Sequence, residues 1–260
     1  MNSGEVKQTV RQAGNSDALG WAARTGFAVV GLMHLLIAWI ALQLAFGVSG
    51  KQADQSGALQ TLSSNALGTV LLWVAVVGFA GLGIWQLTQV FASHDAGDRV
   101  KAVAKGVVYL VLAWTALKFA TGSGSSSQKQ TSDVTASLMS KPAGGMLVIA
   151  VGLVILGVGI YHVYKGWSRK FLQDLRSHPG RAVVVLARFG YIAKGVALGV
   201  VGVLFVLAGV HNNPKEAGGL DRALRSLLDV PFGQVLLTVV ALGLAAYGVY
   251  SFARARYGRV

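Results

Sequence analysis

Residues 23–45, ARTGFAVVGLMHLLIAWIALQLA, decide the fold of this chain, because the same frame returns twice: as DRVKAVAKGVVYLVLAWTALKFA at 98–120 and as ARFGYIAKGVALGVVGVLFVLAG at 187–209. Arg24, Gly31 and Trp39 correspond to Arg99, Gly106 and Trp114, and then to Arg188, Gly195 and Val203. Each arginine precedes its glycine by seven positions. Apart from a few polar positions, each stretch is apolar on every side of a helix. That is the pattern of a helix surrounded by lipid, not of one lying on a soluble core.

A second helix follows each of these. Gly68, Gly81, Gly83 and Trp85 match Gly144, Gly157, Gly159 and Tyr161, then Gly233, Ala246, Gly248 and Tyr250. Gly31, Gly106 and Gly195 lie 37, 38 and 38 residues before Gly68, Gly144 and Gly233 respectively. The repeating unit is therefore a pair of helices with its loops, longer than the common solenoid repeats. Six stretches, at 25–46, 66–90, 102–120, 143–164, 186–209 and 232–252, approach or exceed the ~20 helical residues that cross a bilayer core. Strands in a membrane barrel would alternate polar and apolar residues over about ten positions, and these do not. The expected fold is all-α: a polytopic membrane protein of six transmembrane helices, arranged as three tandem two-helix repeats about a pseudo-threefold axis. The expected boundaries are a polar tail at 1–20, repeats at 21–92 and 98–170, a cytoplasmic connector at 171–183 and a third repeat at 184–255.

Composition agrees. Hydrophobic residues make up 53% of the chain and charged residues 13%, against about 25% charged in soluble domains. There is no cysteine, which excludes disulfides, thiolate nucleophiles and cysteine-held metal or iron–sulfur sites. The first 23 residues are polar and the apolar run after them is too long for a cleaved signal, so the first helix is expected to remain as an anchor.

The formal net charge is +13, and its distribution explains it. Sixteen of the 23 basic residues fall on the termini and the connectors between units, and seven on the other side. Six spans put both termini on one side, and the positive-inside rule makes that side cytoplasmic. Nucleic-acid binding would want a basic face interleaved with aromatics and is not expected. The connector KGWSRKFLQDLRSHPGR, 165–181, can set Trp167, Phe171, Leu172 and Leu175 on one helical face. It is expected either to lie among anionic headgroups or to be simply solvated, with Pro179 and Gly180 ending it before the fifth span. On the outer side, each unit carries a short amphipathic segment before its second span. The clearest has Leu220, Leu224, Leu227 and Leu228 at helical spacing.

Many of the 34 glycines lie within the spans. Lipid provides no hydrophobic drive between helices, so small residues matter there because they let backbones approach. Polar residues in the spans are costly and are the default candidates for a site. His34 is about 15 Å along the helix from Arg24, in the repeat position of Tyr109 and Leu198. Gln86, His162 and Ser251 share another position near the cytoplasmic ends. Lys105 and Lys194 share a third, and with Arg24, Arg99 and Arg188 they form a candidate basic ring at the inner mouth for an anion or lipid headgroup. Axial haem ligation by His34 and His162 fails on depth, so no cofactor is expected. No acidic residue lies within a span, which argues against a proton pump.

The A-R-x-G opening at Arg24 and Arg188, the glycine seven residues after each arginine, and the G-x-G-x-aromatic ending at Trp85 and Tyr161 resemble a bacterial integral-membrane family, domain of unknown function 1206. The resemblance covers about residues 20–255. Unit two departs from it, with Lys101 where Gly26 and Gly190 stand. It implies a bacterial inner membrane and no activity, substrate or catalytic residue. The expected function is a non-enzymatic scaffold or accessory membrane subunit, packed with itself or in a larger complex and contacting anionic lipid at its cytoplasmic face. A small-solute or lipid transporter, with its site on the pseudo-threefold axis, is the alternative.

Overall fold

The computed structural model describes residues 16–48, 50–93 and 95–259. The polar tail up to residue 15, with Lys7 and Arg11 from the orientation count, lies outside them. Six long helices are present: α1 (Asp17–Ala45), α3 (Ala66–Ala92), α4 (Ala96–Ala120), α6 (Gly144–Trp167), α7 (Arg181–Val210) and α9 (Gly233–Tyr257). All six are long and apolar enough to cross a membrane. Three short helices, α2 (Gln55–Leu62), α5 (Ser127–Met139) and α8 (Gly219–Ser226), precede the second span of each unit. Polar N-caps start α1 and α4 before their apolar stretches. Ser16 accepts the Leu19 amide at 3.4 Å and Asp95 the Asp98 amide at 3.1 Å, leaving fewer helix-end donors unsatisfied.

The repeat glycines explain the arrangement. The first-helix glycine of each unit packs on the second helix of the unit before it, and the third unit closes onto the first. A Cβ added at Gly195 would stand 2.6 Å from the Gly159 carbonyl oxygen; at Gly31, 2.9 Å from that of Gly248; at Gly106, 3.3 Å from that of Gly83. Three equivalent seams, α6/α7, α9/α1 and α3/α4, are thereby the most extensive in the molecule. A third set, Gly68, Gly144 and Gly233, lets the chain turn from short helix to span. A Cβ at any of them would collide with a carbonyl of the preceding segment, that of Leu62, Leu138 or Leu227.

The seams within units are unequal. In unit one, Gly26 lies against the Gly78 backbone, and in unit three Gly190 lies against that of Tyr247 while Gly243 faces Ala193. Both seams are closed. In unit two, Lys101 replaces the glycine on the first helix and Val154 the one on the second. Gly157, equivalent to Gly81, has nothing within 4 Å, and α4 and α6 form no substantial pairing. A lysine and a valine hold apart two backbones that glycines elsewhere bring together. The six-helix ring is therefore closed at five seams and open at one, with Val154 68% exposed.

At the end of the bundle away from the connector between α6 and α7 the three short segments interlock. Asp221 accepts the Ala53 amide at 2.7 Å and the Arg225 Nε–H at 2.8 Å. Gln52 Nε2 donates to Ser126 Oγ at 2.7 Å, and the Ser127 amide donates to Ser56 Oγ at 3.0 Å. Leu59, Leu224 and Leu227 are buried, so the amphipathic segments pack inward as a cap. Asp54, buried at the start of α2, has its carboxyl raised above the ordinary range by that burial, with hydrogen bonds from Ser56 and Gly57 opposing.

The connector between α6 and α7 is neither the surface helix nor the solvated segment expected of it. Lys170–Asp174 is a short 3-10 segment, and its apolar residues do not share a face: Trp167 is 68% exposed, while Phe171 is fully buried and Leu175 nearly so. The Phe171 ring stacks 5.5 Å from Tyr191 and lies edge-on at 5.5 Å to Tyr250. Leu175 bridges Gly258, and the Arg176 amide donates to the Tyr257 carbonyl at 2.7 Å. The connector thus enters the bundle as a plug tied to the end of α9. Burying one large ring among aromatics is a better sink for it than the headgroup layer.

Candidate functional site

The three repeat arginines do not meet in a ring. Each occupies a seam, at the C-terminal end of the neighbouring unit's second helix. Arg24 Nη1 donates to the carbonyls of Arg256 at 2.9 Å and Ala255 at 3.4 Å. Arg99 Nε donates to the Ser93 carbonyl at 3.0 Å. The Arg188 guanidinium lies 4.8 Å over the ring of Trp167, the last residue of α6. A helix C-terminus presents unsatisfied carbonyls and partial negative charge, so a cation there closes the seam electrostatically.

Lys105 and Lys194 separate from the arginines and join Lys165 and Arg254, each in the last turn of its helix. Lys165 and Arg254 share a repeat position with Gln89, six residues after the second-helix glycine, so the cluster comes from two repeat positions that are basic in two units out of three. Lys105 lies within electrostatic reach of Arg254, Lys165 and Asp174. Asp174, from the connector plug, receives Lys165 Nζ at 2.6 Å and has an Arg254 nitrogen at 4.0 Å. Burial alone would raise the Asp174 carboxyl, but Arg254 and Lys165 outweigh it and hold it below the ordinary carboxylate range. Three cations, Arg254, Lys165 and Lys105, thus act on one carboxylate, and Lys194 joins them through His162, which lies within electrostatic reach of Lys194, Lys165 and Lys105.

Aromatic rings form the floor of this cluster. Lys194 Nζ sits 4.1 Å over the Tyr247 ring, Lys165 Nζ 5.4 Å over Tyr191, and the Arg254 guanidinium 4.2 Å over Phe27, geometries in which the ring face attracts the cation. Tyr191 touches His162, Phe171, Tyr247 and Tyr250. His34 packs at 4.7 Å on Tyr247, and Tyr109 stacks at 6.4 Å on Phe79. The three units converge on this layer.

Both histidines are tied back to their own helices. His34 Nδ1 donates to the Val30 carbonyl and His162 Nδ1 to that of Val158, each at 2.8 Å; the carbonyl only accepts, so Nδ1 carries the proton and Nε2 is the free acceptor. His162 lies within electrostatic reach of Lys105, Lys165 and Lys194. Gln86, at the repeat position of His162, is buried, and so is Ser251, whose hydroxyl donates to the Tyr247 carbonyl at 2.9 Å. Among the described residues no group of three or more metal-ligating side chains converges. A separate cleft of about 390 Å³ beside the short helices, lined by Gln128, Glu216, Arg222 and Arg225 among others, lies away from this cluster and mixes both charges.

The family model described as Domain of Unknown Function (DUF1206) matches the chain three times, at residues 25–92, 100–169 and 189–258. The uncharacterized protein YxxB of Bacillus subtilis (strain 168) is 28% identical over 249 residues, covering 90% of this chain and 89% of that one. No solved structure matches the chain. Each of the three matches covers one two-helix unit and its seam glycines, and the chain belongs to the DUF1206 family.

Proposed function

We propose that this protein is a non-enzymatic scaffold or accessory subunit of the bacterial inner membrane, with both termini in the cytoplasm. The observation that carries this reading is the filled centre of the bundle. Phe27, Tyr191, Tyr250 and Phe171, all buried, occupy the inner layer where a conduction path would run, and the connector plug stands at its cytoplasmic mouth. Excess lysine and arginine on the termini and inter-unit connectors supports the orientation. Glycine seams closed by backbone contact support a rigid body over a rocking one.

The test is flux. Proteoliposomes holding the full chain and loaded with chloride- or proton-sensitive dye are expected to leak no faster than protein-free vesicles. A saturable flux abolished by Tyr191→Ala, in protein that still purifies as a folded bundle, would replace the scaffold with the transporter reading.

A further inference from the structure

We infer that the open seam between α4 and α6 is a binding site for an anionic phospholipid of the cytoplasmic leaflet, its phosphate held by Lys105, Lys165, Lys194 and Arg254 and its acyl chains lying between the two helices.

Charge leads to the headgroup. Four cations and one carboxylate share the cytoplasmic end of the bundle, and uncompensated charge within a membrane is expensive. Asp174 answers Lys165 and Arg254. Lys105 and Lys194 have no carboxylate at salt-bridge distance among the described residues: Lys194 rests on the Tyr247 ring and Lys105 remains exposed. A phosphate brings the missing negative charge and several acceptor oxygens, and lysines bind phosphate as point charges.

The seam leads to the lipid. Access from the cytoplasm is occupied by Phe171 and the connector, and access from outside by the interlocked cap, whereas the side between α4 and α6 is open. An anion arriving from that side comes from the bilayer. The opening is specific to unit two, because Lys101 and Val154 stand where units one and three have glycine. Lys105 lies one helical turn beyond Lys101 on the same helix, and His162 of α6 lies within electrostatic reach of Lys105, Lys165 and Lys194. The cationic cluster is thus reached through the one seam that does not close. This inference is independent of whether the protein scaffolds a complex or carries a solute.

The full chain reconstituted in phosphatidylcholine vesicles, with a few mole per cent of spin-labelled phosphatidylglycerol or spin-labelled phosphatidylcholine, tests it. The phosphatidylglycerol label is expected to show an excess motionally restricted component over the phosphatidylcholine label. Lys105→Gln and Lys194→Gln are each expected to weaken that excess association about fivefold, while Arg181→Gln, an exposed interfacial charge on α7, leaves it unchanged. Both lysine variants remove partly exposed charges, and an unchanged helical spectrum and elution volume show that they fold. Equal restriction of the two lipids, or the same loss with Arg181→Gln as with Lys105→Gln, would overturn the site. Displacement of the phosphatidylglycerol label by millimolar inorganic phosphate at matched ionic strength would make it a free-anion site and overturn the lipid assignment. Cross-linking of Val154→Cys to a second copy, with no restricted lipid, would give the seam to a protein partner and overturn it as well.

Discussion

Gly31 on the first helix and Gly248 on the last meet backbone to backbone: a Cβ on Gly248 would stand 2.9 Å from the Gly31 carbonyl oxygen. This contact joins the two ends of the chain and converts three tandem units into a closed order. It also makes the glycine substitutions predictable by rank.

Among the glycines of the three seams between units, Gly195→Ala is expected to destabilise most, since its Cβ would meet the Gly159 carbonyl oxygen at 2.6 Å and the Val163 amide at 2.7 Å, neither of which can rotate away. Gly248→Ala follows, and Gly106→Ala is mildest, because its nearest neighbours at 2.8 Å belong to the flexible Leu87 side chain. Overpacking of this kind costs about 1–3 kcal/mol. Gly157→Ala, with open space around it, is the neutral control. Thermal unfolding in detergent micelles measures the series, and a loss at Gly157 equal to that at Gly195 would contradict the seam geometry.

Arg24→Ala is expected to loosen the C-terminal end of α9 by about 1–2 kcal/mol, the value of a charge-assisted hydrogen bond at a partly exposed helix end. Limited proteolysis reads it directly. Cleavage after Arg254 or Arg256 is expected to accelerate in Arg24→Ala and remain slow in Arg222→Ala, which lies on the outer cap.

The connector makes stability depend on pH with a defined sign. Asp174 is held below the ordinary carboxylate range, so the unfolded chain binds more protons there than the folded one. Its contribution is complete above the ordinary aspartate value, about 3.9, and is lost as pH falls through the lower folded value. Asp54 has the opposite sign: raised by burial, it lowers stability as pH rises from the ordinary value through its folded one. Asp174→Asn is expected to flatten the acid limb of the unfolding profile and to cost about 1–3 kcal/mol at neutral pH, between exposed and buried ion pairs. An unchanged acid limb in that variant would remove Asp174 from the account.

Because the chain has no cysteine, single cysteines report topology without background. Lys129→Cys on α5 is expected to react with an impermeant maleimide from outside intact cells, and Ala182→Cys at the start of α7 only after the membrane is opened. The reverse pattern would invert the assigned orientation.

The helix pairs, the seven-residue arginine–glycine interval and the departure at Lys101 are legible in the residues because each is a local or periodic property, and lipid demands helices wherever the apolar run is long enough. The candidate site was legible only in part. Lys105 and Lys194 stand out as charges inside spans, but the repeat register joins them to Arg24, Arg99 and Arg188, although the arginines turn to neighbouring C-termini. Lys165 and Arg254 looked like flank charges because both sit in the last turns of their helices. Nothing along the chain brings Asp174 to them. Phe171 looked like one residue of an amphipathic face, yet it seats alone among Tyr191 and Tyr250.

The amino-acid sequence by itself determined six spans, their pairing into three units and the positions where backbones can touch, since hydropathy and glycine act within a turn or two of helix. Only the tertiary structure decided which glycine meets which, that the last unit closes on the first, that the second unit stands open, and that three cations from α4, α6 and α9 share one carboxylate. Those are contacts between residues tens to hundreds of positions apart. In a bilayer they are chosen by close packing and charge compensation, not by the hydrophobic pattern that all six helices have in common.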